Sequence, residues 1–428
     1  MELTKVKLSD VARVEISGVD KKSKPGQKSV RLCNFVDVYH NWAITQNMRD
    51  SFMEATASDK EIEALSIKKG QVAFTKDSET RDDIGIPTYI ADDFDDVVLG
   101  YHNALITPDE RKLNGKYLNA FMHSSYIQKY FENNASGSGQ RYTLSNDTVN
   151  SIPILLPSIK DQEKIGNLFS FIDRKIALNK KMNQKLEAMA KRLYDYWFVQ
   201  YDFPDKNGHP YKTTGGPMTY NPTLKREIPE GWDVVDINKL CQVVDCLHSK
   251  KPDFCYEDEN SYLLALENIT KEGYIDLSDK YYISKKDFAE WTSRICVREN
   301  DFLFTNAGRA GDMGMVPEGV LCAIGRNITA VRPEKINPWY LRCFFKSLYM
   351  QEQILNNLDQ GSFFMSFNVR SIKKLQVLMP SEPLMKKFIS FVEPHLKRIE
   401  KNNNEITRLT ALRDKLLPLL MNGQVVVG

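Results

Sequence analysis

Apolar residues recur in alternating steps of four and three positions through the middle of the chain, from Phe171 to Phe198. Lysine, arginine and glutamine fill many of the positions between them, so the apolar stripe is narrower than that of a helix packed on a globular core. The pattern predicts one long helix that pairs with a second helix, rather than an ordinary surface helix of a single domain. Its predicted pairing residues are Ile172, Ile176, Asn179, Asn183, Leu186, Ala190, Leu193 and Trp197.

A second heptad stripe near the C-terminus supplies the predicted partner. The two stripes match in order when Asn183 is set against Asn403 and Leu186 against Ile406. An asparagine inside such a stripe fixes the register of the partner helix at some cost in stability, so we expect the asparagines to align the two helices. The predicted pairing residues of the second helix are Val392, Leu396, Ile399, Asn403 and Ile406.

The helical repeat is part of a longer internal repeat that covers most of the chain. Four pairs of segments match at a nearly constant separation of roughly 220 to 230 residues, which unrelated coincidences would not share. The pairs are LGYHNALITP (99–108) with IGRNITAVRP (324–333), GQVAFTK (70–76) with NDFLFTN (300–306), YLNAF (117–121) with YLRCF (340–344), and SIPILLPS (151–158) with KLQVLMPS (374–381).

Short strand-like runs alternate with helical stretches in both halves, which indicates an α+β fold class. We predict two similar domains joined by two long helices that form an antiparallel coiled coil, with pseudo-two-fold symmetry. A segment rich in proline and glycine excludes helix and central strand over most of its length, so it is a connector. The predicted boundaries are 1–157 for the first domain, 158–200 for the first long helix, 201–231 for the connector, 232–380 for the second domain and 381–428 for the second long helix.

Composition agrees with two folded domains and leaves the ligand open. Of the 428 residues, 42% are hydrophobic and 11% aromatic, which is ample for two cores. No apolar run approaches the length of a membrane span, and seven cysteines, an odd number, fit a reducing compartment, so we expect a cytoplasmic protein without a membrane segment. The net charge of +2 is too small to announce nucleic-acid binding by itself.

Motifs for catalysis and for metal binding are incomplete. NPWY (337–340) resembles the Asn-Pro-Pro-Tyr of amino-methyltransferases, but Trp339 replaces the second proline. GRAGDMG (308–314) lacks the spacing and the lysine of a phosphate-binding loop. The cysteines and the histidine of residues 241–255 do not have the spacing of a structural zinc site, and we interpret them as structural. We therefore expect no catalytic residue, no cofactor and no metal in this chain.

Polar and basic loops follow matched strands in the two halves. TKDSETRDD (75–83) follows one strand, and TNAGRAGD (305–312) follows its counterpart. Different side chains at equivalent places of two similar domains suit two modules that read different base sequences. Taken singly, each loop is also consistent with an ordinary solvated loop.

Further repeat positions and two lysine-rich loops complete the candidate set. We set His102 and Asn103 against Arg326 and Asn327, and GSGQRY (137–142) against QGSFF (360–364). The lysine loops near the two domain starts reach phosphates in this hypothesis. The predicted DNA-binding residues are Lys21, Lys22, Lys24, Lys28, Lys76, Ser78, Thr80, Arg81, His102, Asn103, Arg141, Tyr142, Lys250, Lys251, Asn306, Arg309, Arg326 and Asn327.

The chain resembles a known family, the specificity subunits of type I restriction-modification enzymes. The resemblance covers nearly the whole chain and rests on the repeat of a domain followed by a long helix. LPSIKDQEKIGNLFSFIDRKI (156–176) is similar to the family's Pro-x-x-x-x-Glu-Gln pattern, with the pair inverted to Gln162 and Glu163. YDYWFVQYDFP (194–204) and REIPEGW (226–232) also look like family sequences, whereas the second repeat lacks the Glu-Gln pair.

The resemblance implies a non-catalytic subunit with two target-recognition domains that bind a bipartite, asymmetric target in double-stranded DNA. It further implies a complex with two modification subunits, which carry S-adenosylmethionine and the adenine-methylating site. Two restriction subunits, with ATP and Mg, would supply translocation and cleavage in a restriction system of phage defence. The alternative is a coiled-coil scaffold whose paired domains bind protein or peptide, which the near-neutral charge favours. A self-contained methyltransferase or nuclease is disfavoured, because the chain lacks the motifs of these enzymes.

Overall fold

Two compact units make up the chain in the computed structural model, which describes residues 2–137, 140–360 and 365–427. Unit 1 comprises Met1–Asn179 with Glu405–Gly428, and unit 2 comprises Lys180–Asn404. Each unit therefore contains one α+β domain together with a part of both long helices. The predicted fold class of two similar domains and two long helices is confirmed.

Unit 1 contains thirteen strands in the described residues. They are β1 (Thr4–Lys7), β2 (Ala12–Ile16), β3 (Lys28–Cys33), β4 (Ala43–Ile44), β5 (Met53–Ala57), β6 (Val72–Thr75), β7 (Asp77–Ser78), β8 (Pro87–Ile90), β9 (Val97–Leu99), β10 (Asn103–Pro108), β11 (Ser136–Gly137), β12 (Tyr142–Thr143) and β13 (Pro153–Leu156). The helices are α1 (Phe35–His40), α2 (Asp59–Leu65), α3 (Gly115–Met122), α4 (Ser125–Asn134), α5 (Asn146–Asn150) and the long α6 (Ile159–Tyr194), which continues into unit 2.

The main sheet of unit 1 has the strand order β2-β10-β6-β8-β4, and a second sheet has the order β5-β3-β9. Strands β6 and β8 are buried along their whole length, as expected for central strands. Helices α3 and α4 contribute the fully buried Phe121 and Phe131 to the core that covers this sheet. Asn114 starts α3, because its side-chain oxygen accepts hydrogen bonds from the amides of Lys116 and Tyr117.

Unit 2 follows the same plan. Its strands are β14 (Met218–Asn221), β15 (Arg226–Pro229), β16 (Asp233–Asp236), β17 (Cys241–Asp245), β18 (Tyr262–Leu264), β19 (Tyr281–Tyr282), β20 (Val297–Arg298), β21 (Phe302–Thr305), β22 (Met313–Met315), β23 (Leu321–Ile324), β24 (Ile328–Pro333), β25 (Asp359–Gln360), β26 (Met365–Ser366) and β27 (Gln376–Met379). Its helices are α7 (Lys285–Trp291), α8 (Pro338–Phe345), α9 (Leu348–Asn356), α10 (Val369–Lys373) and the long α11 (Glu382–Met421), which continues into unit 1.

The internal repeat of the sequence is a repeat of structure. The sheet order β17-β24-β21-β22 in unit 2 corresponds to β2-β10-β6-β8 in unit 1. Tyr117 on α3 and Tyr340 on α8 are both fully buried, and each hydroxyl donates a hydrogen bond to a strand carbonyl, of Leu155 and of Leu378 respectively. Equivalent buried bonds of this kind require the same framework in both domains.

In unit 1 the two long helices pack side by side in opposite directions. Near the start of α6, Nζ of Lys164 donates to the carbonyl of Val427, at 3.3 Å. Further along α6, Nζ of Lys175 lies 3.4 Å from Glu405. As residue numbers rise along α6, the numbers of the facing residues fall, so the pair is antiparallel.

Unit 2 contains the other part of the helix pair, also antiparallel. Nδ2 of Asn183 donates to Asn403 at 2.7 Å, and the ring centroid of Trp197 lies 5.7 Å from that of Phe388. Among the predicted pairing residues, the buried ones are Ile172, Ile176, Asn179, Ala190, Trp197, Val392, Leu396 and Ile399, and the half-buried ones are Asn183, Leu186, Leu193, Asn403 and Ile406. None of the helices in the described part of the chain combines the length and the apolar character that a bilayer crossing requires.

The predicted equivalence of Asn183 in the first helix with Asn403 in the second is wrong. The equivalence of Tyr117 with Tyr340, carried along the chain, sets Asn179 against Asn402, and these are the two deeply buried asparagines of the long helices, with 2% and 1% exposure. Asn183 is therefore not the equivalent of Asn403 but its hydrogen-bonding neighbour. A heptad pattern matches itself at several offsets, so the spacing alone does not identify which residues are equivalent.

Different side chains hold the helices to the two domains. In unit 1, the guanidinium of Arg413 on α11 lies 5.4 Å from the ring centroid of Trp42, which stacks on His123 at 4.1 Å. Burial, with the charge of Arg413, lowers the pKa of His123 to about 3. This contact is a stack of rings around a neutral histidine.

In unit 2, an ionic cluster occupies the corresponding junction. Glu187 on α6 accepts hydrogen bonds from the buried Arg342 at 2.8 Å and from Lys346 at 3.1 Å. It also bonds the hydroxyl of Tyr274. Burial raises the pKa of Glu187, but the charges of Arg342 and Lys346 outweigh that effect, so the pKa lies below its usual value. The carboxylate therefore remains ionised.

The compact units and the predicted segments divide the chain differently. The sequence separates each long helix from the domains, whereas each unit takes part of both helices. The predicted connector, residues 201–231, also has structure of its own, because β14 and β15 form an antiparallel hairpin and Phe203 stacks on Trp232 at 5.2 Å. Proline and glycine exclude a central strand but permit a hairpin at the edge of a core.

We expect Asn402→Ala to destabilise unit 2 by about 1–3 kcal/mol, because the side-chain oxygen of Asn183 would lose a 2.8 Å hydrogen bond inside the seam. Urea unfolding of the full chain measures the difference. The matched control is Asn404→Ala, which removes the side-chain amide of an exposed asparagine two residues further along α11. Equal stability of the two variants would show that the asparagine contact does not stabilise the helix pair.

Candidate nucleic-acid interface

The polar candidates of unit 1 gather where two strands meet. Strand β6 pairs antiparallel with β10, so the end of β6 at Thr75 lies beside the start of β10 at Asn103. His102, just before β10, has a left-handed backbone with φ of 69°, and its carbonyl accepts a 2.8 Å hydrogen bond from the amide of Lys76. This closure brings Lys76, Asp77 and His102 to one edge of the sheet.

A chain of hydrogen bonds extends from this edge to the β11–β12 hairpin. The Asp77 carboxylate lies 2.5 Å from Nδ1 of His102, and Nε2 of the same ring lies 3.0 Å from a terminal nitrogen of Arg141. Because a guanidinium has donors and no acceptor, this geometry requires the lone pair on Nε2 and the proton on Nδ1. His102 thus donates to Asp77 and accepts from Arg141.

Asp77 is ionised at the centre of this cluster. Burial raises its pKa, but hydrogen bonds with Thr143 and His102 and the charge of Lys76 outweigh burial, so the pKa lies below its usual value. Nζ of Lys76 lies 3.5 Å from the Asp77 carboxylate and 3.0 Å from the Thr143 hydroxyl. Lys76 and Arg141 each carry a positive charge and Asp77 carries one negative charge, so this cluster of side chains is positively charged.

Four other candidates lie beside the cluster. The guanidinium of Arg81 lies 5.0 Å from the ring centroid of Tyr142, and Ser78 on β7 pairs with Tyr142 on β12. The Ser78 hydroxyl accepts a hydrogen bond of 3.3 Å from the amide of Thr80, which is exposed. The structure therefore brings the loop candidates and the hairpin candidates of unit 1 to one surface.

The lysine loop of unit 1 is exposed. Nζ of Lys21 lies 5.8 Å from the ring centroid of Tyr101, the residue before His102. Lys28 forms an ion pair of 2.7 Å with Asp59. The remaining exposed lysines of this loop are Lys22 and Lys24. The contact with Tyr101 places Lys21 next to the cluster. Lys28 is instead paired with the Asp59 carboxylate.

Asn103 does not belong among the base-reading candidates. Its side chain is fully buried, and Nδ2 donates to the carbonyls of Gly100 and Tyr101 at 2.9 and 3.3 Å. The side chain therefore fixes the turn before β10. A buried asparagine cannot reach a DNA groove from this position.

The backbone also corrects the repeat match at this turn. His102 and Asn327 both have a left-handed backbone, with φ of 69° and 63°. The carbonyl of each accepts a hydrogen bond from the first loop residue, Lys76 in unit 1 and Asn306 in unit 2. His102 is therefore equivalent to Asn327, as the match of 99–108 with 324–333 already implies, and not to Arg326, against which we set it in the candidate set.

The equivalent edge of unit 2 carries amide, hydroxyl and carboxylate groups. Asn306 follows β21, and its side chain accepts a hydrogen bond from the Thr329 hydroxyl at 2.9 Å and donates to Asp245 at 3.3 Å. Asp245 also lies 3.0 Å from Nε2 of His248. The same strand ends that form a basic edge in unit 1 thus form an acidic and amide-bearing edge in unit 2.

Arg309 is hydrogen-bonded to the 266–269 segment, and its role at the DNA surface stays a prediction. One terminal nitrogen donates to the carbonyls of Leu266 and Ile269, both at 2.6 Å, and the other lies 3.5 Å from Asp312. Reading a base would require the guanidinium to leave these partners. In this structure the side chain links the loop after β21 to residues 266–269.

The other candidates of unit 2 are exposed. Arg326 and Asn327 lie at the turn before β24. Lys250 and Lys251 lie in the loop after β17, and Nζ of Lys251 is 3.6 Å from the ring centroid of Tyr281. These positions suit contacts with the phosphates of DNA. Asn327 lies at the polar edge itself, because its carbonyl accepts a hydrogen bond of 2.7 Å from the amide of Asn306.

A group with three metal-ligating side chains occurs in the described part of unit 2. The ligand atoms of Asp245, Cys246 and His248 lie within 4.8 Å of one another. Burial raises the pKa of Cys246 above its usual value, which disfavours the thiolate that metals bind. Asp245 is also engaged by Asn306 and Thr329. These contacts favour a structural role for the group.

Glycines close the loop at the edge of each domain. The amide of Gly85 donates to the carbonyl of Thr75 at 3.0 Å, and that of Gly311 to Thr305 at 2.9 Å. Both glycines have positive φ, of 80° and 89°. A Cβ on Gly85 would lie 2.2 Å from the Phe131 ring, so this position requires glycine. The closed loop is longer in unit 1, at residues 76–84, than in unit 2, at residues 306–310.

The predicted match of GSGQRY with QGSFF falls partly outside the described residues, at 138–139 and 361–364. The flanking hairpins β11–β12 and β25–β26 are equivalent. After each hairpin, a backbone amide donates to the first loop residue: Leu144 to Lys76 at 3.0 Å, and Phe367 to Asn306 at 2.8 Å.

Sequence reasoning missed the carboxylates that organise both edges. A carboxylate is not expected beside phosphates, so Asp77 and Asp245 are absent from the candidates. The contact of Asp245 with His248 is visible in the sequence as a three-residue spacing. The contact of Asp77 with His102 depends on the β6–β10 register and has no local signal.

Known proteins resemble this chain. The sequence profile of the Type I restriction modification DNA specificity domain matches residues 2–188. The type I restriction enzyme MjaIX specificity subunit of Methanocaldococcus jannaschii is 23% identical over 317 residues, which cover 73% of this chain and 69% of the relative. The HindI specificity subunit of Haemophilus influenzae is 20% identical over 409 residues, which cover 84% and 87%. The crystal structure of a type I restriction-modification system S subunit from M. genitalium has the same fold, with a TM-score of 0.61, 14% identity and coverage of 98% and 96%.

We expect Arg309→Ala to lower the free energy of unfolding by about 1–3 kcal/mol, because the carbonyls of Leu266 and Ile269 lose their donor. Denaturant unfolding measures the change, with the exposed Arg326→Ala as the matched control, expected to stay within about 0.5 kcal/mol. An Arg309→Ala variant of unchanged stability and altered base preference would return Arg309 to the DNA surface.

Proposed function

Because the chain belongs to the specificity subunits of type I restriction-modification enzymes, we propose that each of its two domains reads one half of a bipartite, asymmetric DNA target. Its class is a non-catalytic DNA-recognition component. The observation that carries the proposal is the contrast between two equivalent strand edges. Unit 1 has Lys76 and Arg141 there. Unit 2 has Asn306 and Asp245 there.

The two edges suit different bases. Arginine and lysine donate to O6 and N7 of guanine in the major groove, whereas asparagine pairs with N6 and N7 of adenine and a carboxylate accepts from N4 of cytosine. The exposed lysine loops, with Lys21 in unit 1 and Lys251 in unit 2, contact phosphates and set the position on the duplex. Two half-targets of different sequence follow from this division.

The proposal extends to the complex. Two modification subunits bind S-adenosylmethionine and methylate adenine, and two restriction subunits use ATP and Mg for translocation and cleavage. This chain supplies the recognition step alone. A scaffold for peptide or protein partners is not favoured, because the relatives are specificity subunits of restriction enzymes.

Exposed apolar side chains on the long helices support docking of the modification subunits there. In unit 1, Phe171 and Leu178 on α6 are 67% and 52% exposed. In unit 2, Met189 on α6 and Phe391 on α11 are 53% and 49% exposed. Apolar side chains on helices whose other face is already paired are typical of a further helical interface.

Methylation mapping tests the proposed function. Methylated adenines are sequenced in DNA from cells with and without this chain, in the presence of its modification partners. The expected result is one two-part motif that is methylated only when the chain is present. Unchanged methylation, with no methyltransferase co-purifying with the chain, would contradict DNA recognition and support the scaffold.

We expect replacement of residues 232–380 by the same domain of a relative to change one half of the methylated target and leave the other half intact. The physical reason is that each unit presents its own edge on its own sheet. The reciprocal replacement of residues 1–157 is the matched control and should change the other half. A single replacement that altered both halves would contradict independent reading.

We expect Met189→Gln to weaken co-purification of the modification subunit, because it replaces an exposed apolar side chain by a polar one while keeping a good helix former. The matched control is Leu355→Gln on α9, which removes a similarly exposed side chain, 68% against 53%, away from the long helices. Equal yields of the complex from both variants would exclude this surface.

A further inference from the structure

We propose that Arg141 reads a guanine in the half-target of unit 1 and that His102, supported by Asp77, positions it. The inference rests on the proposed function and names the base and the side chain that reads it. Its basis is the juxtaposition of an exposed guanidinium with a histidine ring that is itself anchored at the sheet edge.

Arg141 has the donors that guanine requires. A guanidinium has five N–H donors in one plane, and the 3.0 Å contact with Nε2 of His102 uses one of them. The others remain for a bidentate contact with O6 and N7, the commonest specific contact between a side chain and a base pair. Arg141 is exposed, so a base edge has access to these donors.

The support beneath Arg141 is rigid. The His102 ring is 20% exposed and Asp77 13%, so both are largely enclosed. Asp77 is fixed in turn by Lys76, and the backbone of His102 is fixed by its 2.8 Å hydrogen bond from the amide of Lys76. Holding a long side chain in place before binding reduces the entropy lost on contact. The ring therefore acts as a positioning residue.

The charge of the cluster favours a base over a phosphate. Asp77 offsets one of the two positive charges of Lys76 and Arg141, which weakens attraction to phosphates. It leaves the hydrogen-bond donors of Arg141 unchanged. Lys76 is also occupied by Asp77 and the Thr143 hydroxyl. Arg81, the neighbouring guanidinium, lies over the ring of Tyr142. Arg141 is the guanidinium in this cluster that the His102 ring holds at the edge, with donors left for a base.

The test uses the full chain with its modification partners and duplexes of the mapped target. Each guanine of the target is replaced singly by 7-deazaguanine, which lacks the N7 acceptor. For the unaltered chain we expect at least one guanine at which replacement weakens binding, by at most the roughly 5- to 150-fold of a full bidentate contact, because O6 still accepts. Arg141→Ala should bind both duplexes alike at that position and keep discrimination at all others.

Two further variants separate reading from positioning. Arg141→Lys keeps the charge but loses the planar fork, and it should also lose discrimination at that guanine. His102→Asn removes the ring without strain, because Asn327 has the same left-handed backbone at the equivalent place of unit 2. It should reduce discrimination at the same guanine only and leave the salt dependence of binding unchanged.

Arg111→Ala is the matched control, because Arg111 is 89% exposed and its carboxylate partner is Asp109, outside the cluster. It should leave the base profile unchanged. If Arg141→Ala weakened all duplexes alike and lowered the salt slope by about 0.9, Arg141 would be a phosphate contact and the inference would be overturned. An unchanged profile would overturn it too. Failure of the unaltered complex to prefer any sequence would instead overturn the proposed function.

Discussion

Neither long helix has an apolar stripe wide enough to be stable alone. Burial of these narrow stripes determines how each unit is built. In unit 1, Leu417 and Leu420 of α11 join the core of the first domain. In unit 2, Tyr194 of α6 and Trp197, just beyond its end, join the core of the second domain. Each domain is thus completed by a helix that follows the other domain in the chain. Folding of either unit therefore requires residues that are remote in sequence.

The repeat preserves its framework and changes its chemistry. Buried tyrosine bonds, asparagine caps and left-handed turns recur in both domains, whereas the strand edges and the helix junctions differ. One junction is a ring stack around His123, and the other is an ionic cluster around Glu187. The two units are therefore distinguished by their junctions. Replacing the ring stack by the ionic cluster, or the reverse, one residue at a time would leave a buried charge unpaired.

The sequence predicts the features that are periodic or repeated. Heptads identify both long helices, and matched segments identify two domains of one fold. Register and local backbone geometry are less accessible. A heptad matches itself at several offsets, so Asn183 is misassigned in place of Asn179. The hydrogen bond between Asp77 and His102 depends on the pairing of β6 with β10. The hydrogen bonds of Arg309 reach Leu266 and Ile269, which are 43 and 40 residues away in the sequence. Long-range contacts of this kind leave no local pattern.

The glycine-closed loops have a consequence for how such a chain changes over generations. The ends of each loop are fixed by Thr75 and Gly85 in unit 1 and by Thr305 and Gly311 in unit 2. The entropy of closing a loop grows slowly, by about 0.6 kcal/mol for each doubling of length. Insertions and deletions between fixed ends therefore cost the fold little. The stability of the framework and the variety of the exposed loops are separable traits, so new preferences can arise by mutation without passing through an unfolded ancestor.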